Sequence, residues 1–221
     1  MTLAAQIALT ATPLSAYFYA LGVWHGGRGP RLVSGPVDAA LLTAGLGGLV
    51  AFGPVGQIVI ARLAGSRAGP IPWALWVALL ATWAVVFALS AARRLAVYNV
   101  TEADLDRAVR EALGQLDGRF VATVQGFEDP ERGTGLAVRC SRRLRAGSVE
   151  AHGSDPEAFL AELKPRLRVA LGRITTHPSA TSTALFGTAC AVMLVPVAGF
   201  FLANPRAKDA LRALLHSLRW W

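Results

Sequence analysis

The sequence predicts a membrane all-α bundle of four transmembrane helices with a small α+β domain inserted before the last of them. Three observations carry this. First, the 221 residues are 53% hydrophobic and only 16% charged, against about 25% charge in ordinary domains. Second, charge is missing from four stretches: before Arg28, between Asp38 and Arg62, between Arg67 and Arg93, and between Arg173 and Arg206. Each gap has at least 23 residues, and about 20 apolar residues span the hydrocarbon core of a bilayer. Third, residues 95–175 are balanced, with 12 Lys/Arg and 12 Asp/Glu.

The expected organisation follows. Residues 1–94 hold three spanning helices near 3–24, 38–61 and 71–92. Residues 95–175 form the polar domain. Residues 176–221 hold the fourth helix near 180–203 and an interfacial tail.

Helix 1 closes on Tyr17, Phe18, Tyr19 and Trp24, side chains that favour an interface. With no basic n-region and no small-residue cleavage site, it is expected to be retained rather than cleaved as a signal. A Gly/Pro turn through Gly26, Gly27, Gly29 and Pro30 follows. In helix 2, Ala40, Ala44, Gly48 and Gly56 recur on one line, the small-residue spacing that lets helices approach closely. Pro54 bends that helix by removing a backbone donor. Gln57 is its candidate polar site, read either as a pore-lining group or as an interhelical hydrogen bond. Helix 3 starts beside Trp73 and Trp76 and stops at Arg93 and Arg94.

The polar domain reads β-α-β-β-β-α. A strand over 96–100 precedes a helix capped by Thr101 with Asp104 three residues on. Leu105, Ala108, Val109, Ala112 and Leu113 mark its buried face. Strands follow at 119–127, 135–140 and 148–152. Ser154 with Glu157 opens a last helix that Pro165 interrupts. After helix 4, the tail sets Leu211, Leu214, Leu215 and Leu218 against Lys208, Arg212, His216 and Arg219, and ends on Trp220 and Trp221. That pattern suits an amphipathic helix lying on a bilayer surface. Arg93, Arg94, Arg212, Arg219, Trp220 and Trp221 are the expected interfacial anchors.

The net charge of +8 does not point to nucleic acid. The polar domain is neutral, and the excess lies beside the apolar runs, where it can meet anionic headgroups. Short-loop arginines and the Lys164–Arg173 group favour a cytoplasmic polar domain, opposed by Arg62, Arg67 and the basic tail.

The search for chemistry ends without a catalytic, cofactor or metal site. His25, His152, His177 and His216 are scattered, and Cys140 and Cys190 give no metal or disulfide framework. Asp104 and Asp106 are explained by the start of a helix, where negative charge is favoured. Ser141, Arg142, Arg143 and Arg145 form a basic run read as a solvated turn, with phosphate or headgroup binding as its functional alternative. No charged residue lies deep in an apolar run, which argues against a coupled transporter.

SGPVD (34–38), the Gly53–Pro54 pair and YNV (98–100) after Arg93–Arg94 resemble a pattern in uncharacterised bacterial integral membrane proteins. The resemblance implies a bacterial inner-membrane location and no activity. The expected function is a non-enzymatic accessory or scaffold subunit in that membrane whose small domain binds a protein partner. The alternative is a passive transporter or channel-like component. Expected partners are membrane lipids and a protein partner or second copy, without nucleic acid and without a cofactor.

Overall fold

A computed structural model describes residues 3–53, 71–116, 118–177 and 179–203, with Gly56, Ile58, Val59 and Arg62 between the first two segments. Gln57, Arg212, Arg219, Trp220, Trp221 and the amphipathic tail lie outside the described residues.

The described chain forms six helices and six strands, in the order α1 (Leu3–Gly26), β1 (Arg31–Ser34), α2 (Gly35–Phe52), α3 (Ile71–Ser90), β2 (Arg94–Tyr98), α4 (Glu102–Leu113), β3 (Val121–Thr123), β4 (Gly126–Asp129), β5 (Thr134–Ser141), β6 (Ala146–Gly153), α5 (Pro156–Gly172) and α6 (Ala180–Ala203). The strands make one antiparallel sheet, ordered β1-β2-β6-β5-β4-β3.

Two parts of the sequence reading are corrected here. Among the described residues, no helix is long and apolar enough to cross a membrane. The four-span bundle, the multi-pass inner-membrane placement, the membrane accessory subunit and the channel-like alternative lose their support with that finding. The reading rested on charge-free runs, and helices that pack on one another need such runs as well. Within the 38–61 run, α2 extends to Phe52, where the Gly53 N–H closes it on Leu49 O at 2.9 Å, and Gly56, Ile58 and Val59 beyond that break are helical again. The 18 residues of α2 rise about 27 Å, short of a hydrocarbon core of about 30 Å. In α1 and α6, polar side chains join the two helices. Ser15 Oγ donates to Ala189 O at 2.9 Å, and Ser182 Oγ to Gly22 O at 2.9 Å.

The second correction concerns the sheet. Residues 31–34, where the sequence reading placed no strand, form edge strand β1 and pair with β2 from Arg31↔Tyr98 to Ser34↔Leu95. The sheet is therefore completed by a strand from outside the 95–175 segment. The single strand expected at 119–127 is a hairpin, β3 and β4, with Val124 and Gln125 in its turn.

These helices form a row, α6–α1–α2–α3, in which, among the described elements, α3 touches only α2 closely. Close approach depends on glycine at two places. A Cβ on Gly45 would meet Tyr17 Cβ at 2.6 Å, and one on Gly22 would meet the Phe186 ring at 2.9 Å.

Helices α4 and α5 cover one face of the sheet. Leu105, Val109, Leu163 and Leu167 pack there with Val97, Leu136 and Val149, all essentially inaccessible. Thr101 caps α4, its Oγ1 accepting from Asp104 N at 3.2 Å. For α5 the cap is Asp155 rather than Ser154, with Oδ1 accepting from Ala158 N at 3.1 Å. Helix α5 also runs unbroken through Pro165. That residue is exposed, so the carbonyl left without a helical partner can turn to water.

Leu163→Ala should lower unfolding free energy by about 2–5 kcal/mol, the usual cost of emptying a closed leucine site. Denaturant titration followed by far-ultraviolet dichroism checks this, with Leu144→Ala on an exposed turn as the near-neutral control.

Candidate functional site at the junction of helices and sheet

The helical row meets the uncovered face of the sheet through one carboxylate. Asp38 is the only acidic residue before Glu102, and it stands in the first turn of α2, where a helix favours negative charge. Its Oδ2 accepts from Arg94 Nη2 at 2.9 Å, and its Oδ1 accepts from the Tyr98 hydroxyl. Arg94 and Tyr98 lie at the two ends of β2 and point to the same face, as alternate strand residues do. A Cβ on Gly35 would strike the Ala91 carbonyl, so this glycine allows α2 to start hard against the end of α3.

Aromatic and polar contacts extend the junction. Tyr98 packs against Trp24 at 5.0 Å and edge-on to His25 at 5.4 Å between ring centroids. Next in sequence, Asn99 adopts a left-handed backbone (φ 57°), a region asparagine tolerates better than most residues. Its buried Nδ2 donates to Gly27 O at 2.9 Å and to Thr176 Oγ1 at 2.7 Å, while Thr176 N donates to Arg28 O at 2.9 Å. One asparagine thus joins the end of β2 to the loop after α1 and to the segment leading into α6.

The junction shifts the titration of its members. Burial, then the hydrogen bond to Asp38, pushes the Tyr98 phenol far above its usual range. Burial and the Asp38 charge raise Tyr17. Burial, then the Arg145 charge, lowers His25, whose Nδ1 is enclosed without a partner.

Beside Asp38 the open sheet face forms a cleft of about 370 Å³. Its floor is made of small residues. Ala96 faces Ser148, Tyr98 faces Ala146, and Ser148 in turn faces Arg139. Arg94 and Asp38 stand on one side, Arg139 and Ser141 on the other. Arg94 Nε is enclosed without a partner. Arg139 is exposed and makes no ion pair among the described residues. The cleft lining sets two guanidiniums, Arg94 and Arg139, against one carboxylate, Asp38. Among the described residues, no group of three or more His, Cys, Asp or Glu could hold a metal ion. Cys140 borders the cleft with its backbone, while its thiol points to the α4 side of the sheet, where burial and then the Glu102 charge push it up, away from its reactive form.

The other residues singled out in the sequence have these places. Asp104 accepts from the Thr101 hydroxyl at 2.7 Å, and Asp106 from Arg110 Nε at 2.8 Å, so both serve α4. Arg142 and Arg145 share a second cleft with Glu102 and Asp106, where the charges balance. The turn that carries them lies against the start of α6, with Thr181 Oγ1 donating to Arg143 O at 3.5 Å. Ala40 and Ala44 are exposed, whereas Ala39, Gly45, Gly48 and Gly56 are buried. Arg93 is exposed, and its carbonyl accepts from Ala151 N at 3.0 Å.

The two short motifs SGPVD and YNV therefore meet in space through Asp38 and Tyr98. Sequence reasoning missed this contact. The available signal was a lone acid among arginines in the first 94 residues. No family model matches the chain, and no curated protein or solved structure matches it. Fold and site define an antiparallel α+β sheet protein carrying an apolar helical row.

The lowered His25 sets a pH dependence. The unfolded chain binds a proton near the ordinary histidine value of about 6.5, while the folded chain resists it. Unfolding free energy should therefore fall as pH drops below about 6.5, with a slope of at most about 1.4 kcal/mol per pH unit for this group. In His25→Gln the slope in that window should diminish, as read from denaturant midpoints between pH 7.5 and 5.

Proposed function

We propose that this chain is a non-enzymatic lipid-surface protein, with the helical row resting on acyl chains and the α+β domain standing above it in the headgroup and aqueous layers. One observation carries the reading, the uncovered apolar surface of α3. Leu75, Leu79 and Leu89 are 66%, 60% and 68% exposed. Ile71, Val77, Trp83, Val85 and Val86 are exposed beside them. Among the described side chains of α3, those of Trp76, Leu80, Ala84, Phe87 and Ala88 are half-buried, and among the described helices α2 is the one packed closely on α3. A patch of this extent marks an interaction surface. Covering it is worth on the order of 10 kcal/mol at ordinary burial values, comparable to the whole stability of a domain.

Electrostatics favours lipid over a protein partner. Arg28, Arg31, Arg93 and Arg94 lie in or beside the segments that join helices to sheet, at the level where anionic headgroups attract basic residues. A helix surface apolar on nearly every side also suits a fluid apolar medium better than one complementary protein face. The reading requires no helix to cross the bilayer.

Flotation of the purified full chain with phosphatidylcholine vesicles tests it. The wild type should rise with the vesicles, and Leu75→Glu/Leu79→Glu/Val86→Glu should remain at the bottom with its dichroism spectrum intact. A wild type that stays down as a discrete oligomer would overturn the reading and assign the α3 surface to a second copy.

A further inference from the structure

We propose that the cleft between Arg94 and Arg139 binds a phosphate group, as a phosphodiester of a lipid headgroup or as free phosphate. The site is argued from the sheet itself. Only the choice of source rests on the lipid-surface reading.

The geometry is that of a two-sided clamp. Ala96 and Ser148 are register partners on β2 and β6, and Ser148 is also the register partner of Arg139 on β5. Arg139 and Ala96 are therefore two strands apart, roughly 10 Å between backbones. The two small side chains between them leave a floor with room above it. Arg94 rises two residues from Ala96 along β2, held in place by Asp38. Its Nη2 is used by Asp38, while its Nε is enclosed and unpartnered. Arg139 opposes it with its guanidinium uncommitted among the described residues. Ser148 and Ser141 add hydroxyl donors at the floor and rim.

A phosphate fits this set for chemical reasons. Guanidinium forks match its oxygens in pairs, and hydroxyls can donate to the remaining ones. The cleft volume of about 370 Å³ exceeds what a bare ion needs and leaves room for a substituent. Asp38 does not cancel the site, because it orients Arg94 and leaves the lining with two positive groups against one negative. Glu150, the register partner of Arg94 on the same face, is the nearest opposing charge at the margin and supplies an internal control.

Two arms, run on the full chain, test the proposal and identify the source. In the first, inorganic phosphate is titrated against chloride at equal ionic strength and the thermal midpoint is followed. In the second, partition onto phosphatidylcholine vesicles is compared with partition onto vesicles containing 30% phosphatidylglycerol.

The wild type should prefer the phosphatidylglycerol vesicles. Arg139→Gln should lose roughly fivefold of that preference, the usual effect of one interfacial cation. Ser148→Leu, which fills the floor without altering charge, should lose the preference too. Glu150→Gln should strengthen it.

A phosphate-dependent rise in midpoint that Arg139→Gln abolishes, without any vesicle preference, supports the site and assigns it to free phosphate. Equal responses of wild type, Arg139→Gln and Ser148→Leu in both arms would overturn the proposal. Failure to bind either vesicle would contradict the lipid-surface reading alone, since the phosphate arm still decides the site.

Discussion

The arrangement depends on one carboxylate placed among cations and aromatics. Asp38 begins α2, holds Arg94, and accepts the Tyr98 hydroxyl. It therefore ties the helical row to β2, the strand that connects α3 to the rest of the domain. Hydrogen bonds to charged groups are among the stronger ones, about 1.5–3 kcal/mol each, and an enclosed partner left alone costs at least as much. The Tyr98 hydroxyl and the Arg94 guanidinium both depend on this acceptor. Asn99 adds a second tie one residue further on, bonding to the loop after α1 and to Thr176. The junction is thus polar and geometrically defined.

This junction also separates two kinds of surface. On one side of the sheet, α4 and α5 close over a core that includes Leu105, Leu136, Leu163 and Val149. On the other side, Ala96, Ala146 and Ser148 are too small to cover the strands, and arginines border the gap. Beyond the junction the chain turns apolar again, and α3 presents leucine, valine and tryptophan outward. An apolar row, a set of arginines and a charge-balanced domain follow one another, the order on which the lipid-surface proposal draws.

Much of the α+β half was legible in the sequence. The Thr101 cap and the Leu105–Leu113 face of α4 announce themselves through local hydrogen bonding and 3.6-residue periodicity. The later strands are bracketed by turn residues. Strand β1 was not legible. Four residues, Arg31–Ser34, sit between glycine-rich and proline-containing segments, and they are strand only because β2 comes to pair with them. The 119–127 segment hid a hairpin because Val124 and Gln125 are not typical turn formers. Pro165 misled because its position on an exposed helix face tolerates the missing donor. The charge-free runs misled most. They report that a segment is apolar, and they do not report what covers it or where its helix stops. The candidate cleft was illegible for a related reason. Arg94 and Arg139 are 45 residues apart in sequence, and only the β2–β6–β5 register brings them to the same face.

The most direct test of the central role of Asp38 is a double-mutant cycle between Asp38→Asn and Tyr98→Phe, with unfolding free energies measured by denaturant titration. Residues that share a hydrogen bond couple, whereas independent sites add within about 0.3–0.5 kcal/mol. A coupling of about 1 kcal/mol or more is expected, with each single variant loosening hydrogen-exchange protection at both the start of α2 and the end of β2. Strict additivity, with protection lost at only one of the two elements, would contradict the account.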